Sequence, residues 1–195
     1  MLMDIYLIMI TKSTDEPRVL IVDDEEQITD LYCNHLKELY DVRKGYSGKE
    51  AIEKVDETVD VVLLDRRMPD VSGDEVLKRI RAKDFDCQVV LVTAVDPEAD
   101  IVDMPFDDYL SKPVDDDDLI DAVEHQLTVR EYSETYQELN RACSKLNALE
   151  AEKSIDGLER LHEYQELKEK IERLETDQED LLEELDYYEA ASAWR

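Results

Sequence analysis

The sequence predicts a doubly wound α/β domain built on a five-stranded parallel sheet, with a long α-helical region after it. Three observations lead there. From Arg18 to about Leu127, short β-branched apolar runs alternate with stretches of helical period, as in a parallel sheet covered by crossover helices. Three of those runs are almost continuously apolar, which is how strands buried on both faces read. Beyond Leu127 the strand signal disappears and Leu, Glu, Lys and Arg dominate, with one Gly and no Pro.

Val19–Val22 is the first strand, and Ile28, Leu31, Tyr32, His35, Leu36 and Leu39 mark the apolar face of the helix after it. A weaker run near Tyr40–Arg43 gives the second strand. Val59–Leu64 is the third, followed by a helix whose inner face is Val76, Leu77 and Ile80. Val89–Thr93 is the fourth and Tyr109–Leu110 the short fifth. Pro97 and Pro105 lie between these last two. Proline fits a first helical turn but not a helix interior, so the fourth helix is confined to about Pro97–Val102.

In the C-terminal region Leu139, Ala142, Leu146 and Leu149 recur at spacings of three and four. A second series runs Leu167, Ile171, Leu174, Gln178, Leu181, Leu185, Tyr188. The two are out of phase, and Ser154-Ile155-Asp156-Gly157 lies between them with Gly157 as a helix-break signal. Two helices are expected, folded back as a hairpin or meeting another chain as a coiled coil; one continuous helix is the alternative. The organisation reads as a disordered leader over residues 1–17, an α/β domain over 18–127 and a helical region over 128–195.

Lys and Arg total 23 against 52 Asp and Glu, a formal charge of −29 spread along the whole chain. That argues against DNA held by simple phosphate neutralisation. It reads as a solvated surface suited to a salt-rich cytoplasm, and so to a halophilic source. Cys33, Cys87 and Cys143 are too widely spaced for a disulfide framework or a zinc cluster and read as packing residues. Met1–Ile10 is apolar but only ten residues long, contains Asp4 and lacks a basic leader, so no membrane insertion or secretion is expected. The segment is a leader, or an extension upstream of a start at Met9. A cytoplasmic protein is the resulting expectation.

Ligands of an open parallel sheet bind outside the carboxyl ends of its strands. VLIV is followed by Asp23-Asp24, VDVVLL by Asp65, QVVLV by Thr93, and DYL by Ser111-Lys112-Pro113. Three carboxylates at one sheet edge repel one another unless a cation neutralises them. Hard oxygen ligands with room for water and a phosphate oxygen favour Mg2+. A lysine and a threonine hydroxyl would add a point charge and a hydrogen bond for an incoming phosphoryl group.

Residues 18–127 resemble the flavodoxin-like receiver domain of two-component response regulators, with the acidic pair as DDEE, the phosphoacceptor as LLDRRMPDVSG, the switch hydroxyl as VTA and the lysine as YLSKP. The resemblance implies that Asp65 forms an aspartyl phosphate. It implies that Asp24, supported by Asp23, Asp65 and the main-chain carbonyl of Arg67, holds Mg2+. Lys112 and Thr93 would contact the phosphoryl oxygens, and Tyr109 would turn into the space that Thr93 vacates. The implied partner is a sensor histidine kinase, and no turnover is implied beyond self-phosphorylation and slow hydrolysis. The C-terminal region, including KLNALEAEKS, resembles the HalX-type extension of haloarchaeal receiver proteins. That makes 128–195 an interaction module for a helical partner or a second copy. A DNA-binding transcription regulator is the second choice, since no basic recognition helix is evident. A degenerate receiver acting as an adaptor is the third.

Each residue also has a plainer reading. An Asp after a strand is often a turn former or a helix cap; only the joint placement with Lys112 favours chemistry. Thr93 alone is a strand-end residue and Tyr109 alone a core residue. Pro69 and Gly73 shape the loop after Asp65, and His35 reads as a packed histidine. Arg67 is a candidate modifier of phosphate lifetime; otherwise Arg66 and Arg67 are solvent-exposed loop arginines. Between Thr93 and Lys112 there are 18 residues, a few fewer than the family usually has, so its common dimer face is not assumed.

Overall fold

The computed structural model describes residues 16–83, 85–94, 101–152 and 155–192. Most of the expected leader, residues 97–100 of the expected fourth helix and Ser154 lie outside them. The chain forms two compact units, one ending at Gln126 and the other beginning at Leu127.

The first unit runs β1 (Arg18–Val22), α1 (Glu26–Leu36), β2 (Asp41–Gly45), α2 (Gly48–Lys54), β3 (Val61–Leu64), α3 (Gly73–Ala82), β4 (Gln88–Thr93) and β5 (Asp108–Ser111), then enters α4 (Asp116–Glu152). All four strand pairings are parallel, in the order β2-β1-β3-β4-β5. This is the doubly wound architecture the sequence predicts, and its order reverses between β1 and β3, the switch point outside whose strand ends such sheets bind ligands. β1, β3 and β4 are buried almost throughout, because helices cover both faces of a central parallel strand. The edge strands β2 and β5 are only half-buried and correspondingly more polar.

α1 turns Thr29, Tyr32, Cys33 and Leu36 inward, the i, i+3, i+4, i+7 spacing of one helix face. Leu31, expected on that face, is instead 50% exposed. It lies next to Tyr32 in sequence but about 100° further round the helix. On α3, Val76, Leu77 and Ile80 are all buried as expected. α2 and α3 begin at serine caps, with Ser47 accepting from the Glu50 N–H at 3.2 Å and Ser72 from the Glu75 N–H at 3.3 Å. Asp74 and Glu75 in the first turn of α3, and Arg79 and Arg81 in its last, complement the helix dipole. Cys33 and Cys87 are buried packing residues.

Arg81 holds the connection into β5. Its guanidinium donates to the carbonyls of Pro105 at 2.9 Å and Cys87 at 2.7 Å and pairs with Asp107. The Asp107 carboxylate in turn accepts the Val89 N–H at 2.6 Å.

The second unit holds the rest of α4, a short helical turn α5 (Ile155–Leu158) and α6 (His162–Ser192). No Gly or Pro lies between Pro113 and Gly157, in keeping with the length of α4. The chain reverses just after Gly157, with the Leu161 N–H donating to Leu158 O at 2.8 Å. Ala142, Ile171 and Leu174 are buried together, with Leu139, Cys143, Leu146 and Leu167 packed against them. Glu150 meets Tyr164, Glu138 meets Lys170 and Thr128 meets Glu184. Partner numbers rise on one helix as they fall on the other, so α4 and α6 form an antiparallel hairpin. Gln178 is half-buried within the second apolar series.

Candidate functional site

The site grows from the residues that follow β1, β3 and β5. Asp23 leaves β1 with its N–H on Gly45 O at 3.1 Å. Its Oδ1 accepts the Glu25 N–H at 2.9 Å, and the Thr29 hydroxyl donates to its carbonyl at 3.1 Å, so the start of α1 fixes the side chain. Asp65 leaves β3 with its N–H on Val22 O at 2.8 Å, and its Oδ2 accepts the Arg67 N–H at 2.8 Å. Lys112 leaves β5 with its N–H on Thr93 O at 2.9 Å, just ahead of the cis Lys112–Pro113 peptide. Its Nζ donates to Asp23 Oδ2 at 2.5 Å and Asp65 Oδ1 at 2.9 Å.

Lys112 thus ties together two carboxylates that are both nearly buried, with Asp65 only 6% exposed. Burial raises the Asp65 pKa above the ordinary carboxylate value, against the opposing pull of Lys112. Burial also works against the charge of Lys112, but its hydrogen bonds to Asp23 and Asp65 outweigh that and keep it firmly protonated. Tyr32 of α1 is buried close by; burial raises its phenol pKa, Lys112 pulls it down, and Asp23 and Asp65 push it up. From the sequence Tyr32 reads as a core-face residue of α1, with nothing to mark it as a neighbour of Lys112.

Thr93 is buried at the end of β4. Tyr109 is half-buried on β5, opposite Leu91 in the strand register, with its ring 6.0 Å from that of Phe106. Asp24 is exposed and stands outside the Lys112 ion pairs. The structure therefore joins Asp23, Asp65, Lys112 and the Arg67 main chain directly, and leaves Asp24 beside them on the solvent side.

The loop after Asp65 is packed tightly. A Cβ on Gly73 would lie 2.3 Å from the Asp65 carbonyl oxygen and 2.8 Å from Arg66 Cα, so only glycine fits. Arg66 corrects the sequence reading. It is not a solvent-exposed arginine but only 6% exposed, with Nε 3.0 Å from Asp74 Oδ1 and Nη2 3.4 Å from Asp74 Oδ2. The carboxylate at the start of α3 is what permits the guanidinium to be buried. Arg67 is exposed as expected.

Among the described residues, no three His, Cys, Asp or Glu side chains already converge as a metal cage. The oxygen set of Asp23, Asp24, Asp65 and the Arg67 carbonyl nevertheless suits Mg2+, which is held through one or two carboxylates and keeps much of its water. Among the described residues, no helix is long and apolar enough to cross a membrane.

The response regulator receiver domain family matches residues 19–124, and the HalX domain family matches residues 128–192. The chain belongs to the response regulator receiver family, the signal-receiving class of two-component systems. It is 49% identical over 125 residues to a protein of Haloferax volcanii named as a candidate transcriptional regulator. That match covers 60% of this chain and 22% of the relative, so the chain spans about a fifth of the curated protein it matches. Among solved structures, it is similar to a CheY-like receiver domain protein from Methanospirillum hungatei, at 27% identity and a TM-score of 0.54, covering 60% of this chain and 98% of that one. It is also similar to the BeF3-activated receiver domain of DrrB, a Thermotoga maritima protein, at 25% identity and a TM-score of 0.54, covering 57% of this chain and 97% of that one.

Proposed function

We propose that this chain is a phosphorylation switch in which Asp65 accepts a phosphoryl group from a sensor histidine kinase. The observation that carries the reading is the ammonium of Lys112 bridging Asp23 and Asp65 at the carboxyl edge of a parallel sheet. An oxygen of Asp65 attacks phosphorus in line as the bond to the kinase imidazole breaks, and the imidazole nitrogen keeps the electron pair. Such transfer needs little covalent help and much positioning and charge neutralisation. Lys112 supplies a positive charge for the phosphoryl oxygens, and the Arg67 N–H orients the nucleophile. Asp23, Asp24, Asp65 and the Arg67 carbonyl would hold Mg2+, which neutralises phosphoryl charge when bound. The Thr93 hydroxyl then moves toward the new dianion and Tyr109 turns inward behind it, changing the outer surface.

Under this reading residues 1–17 are a leader, 18–127 receive the signal and 128–195 transmit it by protein contact, in the cytoplasm. The chain is a switch and not a turnover enzyme. Replacing Lys112 with Met should slow labelling by acetyl phosphate about a hundredfold, the scale on which a preorganised charge acts. An unchanged rate would remove Lys112 from the chemistry.

The name of the Haloferax volcanii relative favours a second reading, in which the output region contacts DNA. Gel retardation of genomic fragments in high-salt buffer separates the two: retardation supports DNA contact, and its absence with and without phosphodonor removes it.

A further inference from the structure

Arg66 closes the loop after Asp65 twice. Its carbonyl accepts the Gly73 N–H at 2.9 Å, and its guanidinium reaches Asp74 at 3.0 and 3.4 Å. Gly73 has no room for a Cβ against the main chain of Asp65 and Arg66, so the start of α3 lies directly on the residues that carry the nucleophile. Arg67 follows at once. Its N–H donates to Asp65 Oδ2 at 2.8 Å, and its carbonyl is the main-chain oxygen in the proposed metal set.

A buried guanidinium is an expensive way to close a turn. The Arg66 side chain is 7% exposed and that of Asp74 35%. A charge at that depth persists only when paired with good geometry, and a fork-shaped guanidinium against a carboxylate supplies a fixed orientation that a lone hydrogen bond does not. The pair spans from the residue after the nucleophile to the first turn of α3. It therefore fixes the path of the main chain at Arg67.

We propose that the Arg66–Asp74 pair is a positioning element: it sets the Arg67 main chain relative to Asp65, and thereby the affinity of the acidic pocket for Mg2+. This rests on the phosphoacceptor reading above and deepens it. Neither side chain is a proposed ligand. Both act through the Arg67 main chain, as groups behind metal ligands commonly do.

The test uses the full chain in high-salt buffer with Asp74→Ala, Asp74→Asn and Arg66→Lys. MgCl2 binding is measured by calorimetry without phosphodonor, then acetyl phosphate labelling is followed across a MgCl2 series. Asp74→Ala should weaken Mg2+ binding roughly tenfold and move the Mg2+ midpoint of labelling by the same factor, the usual scale for losing a group behind a ligand. Asp74→Asn keeps an acceptor and should shift both less, and Arg66→Lys should fall between. Unchanged Mg2+ affinity in a variant with native circular dichroism overturns the proposal and leaves the pair a purely structural tie. If Asp74→Ala loses its fold, Asp74→Asn and Arg66→Lys decide by the same criterion. An unmodified chain that binds Mg2+ but takes no label sinks the phosphoacceptor reading alone; one that binds no Mg2+ sinks both.

Discussion

Asp70, in the loop after Asp65, has a φ of 63°, in the left-handed region where most side chains are strained. Aspartate tolerates it better than most, and Pro69 before it pre-sets the turn. Asp70→Gly should leave the melting temperature unchanged or slightly raised, whereas Asp70→Val should cost about 1–2 kcal/mol; equal melting of the two would show that the backbone relaxes there. Asp56 makes a different kind of prediction. The Thr58 hydroxyl, the Arg43 guanidinium and the Thr58 N–H hold its carboxylate pKa down to about 2. A lowered folded-state pKa gives stability that is full above the ordinary value near 3.8 and is lost as pH falls toward 2. The melting difference between the parent and Asp56→Asn should therefore be constant above about pH 4 and shrink below it; because Asp56 is half exposed, the effect is small. That Asp23, Asp65 and Lys112 end at one sheet edge was legible, because Asp23 and Asp65 directly follow apolar runs and Lys112 follows the short fifth strand, one residue past Leu110. The burial of Arg66 was not, since its cause is a carboxylate eight residues later that only the folded loop brings back.

The strand-helix alternation was legible wherever burial is two-sided. Val19–Val22, Val59–Leu64 and Val89–Thr93 read as strands because nearly every side chain must be apolar, and the third begins two residues later than read, at Val61. The edge strands carry weaker signals, and β2 runs to Gly45, beyond the polar Arg43 and Lys44 that mask it. Two C-terminal helices were legible from their two series and the break between them, but the hairpin was only one of the arrangements the sequence left open, and the reversal falls just past Gly157. How the chain is held on entering β5 was not legible: Arg81 of α3 gathers Cys87 from one stretch of chain and Pro105 and Asp107 from another. Arg81→Ala should cost roughly 2 kcal/mol, since charged hydrogen bonds are each worth about 1.5–3 and part of the loss is recovered by water. Melting within a degree of the parent would mean that the connection is held by its apolar contacts, Phe106 and Met104 against the core.

For the whole molecule, a charge of −29 on 195 residues means that the acidic pocket operates within a strongly anionic surface. Salt screens the surface but reaches the buried Asp23–Lys112–Asp65 cluster much less. In the proposed switch, the lysine that neutralises two carboxylates at rest would be the local charge against which an incoming phosphoryl group is balanced. The most direct measurement is the intact mass of the full chain after acetyl phosphate and Mg2+ in high-salt buffer, alongside Asp65→Ala. One added phosphoryl group is expected, dependent on Mg2+ and absent from Asp65→Ala. No added mass, or equal labelling of the variant, would contradict it.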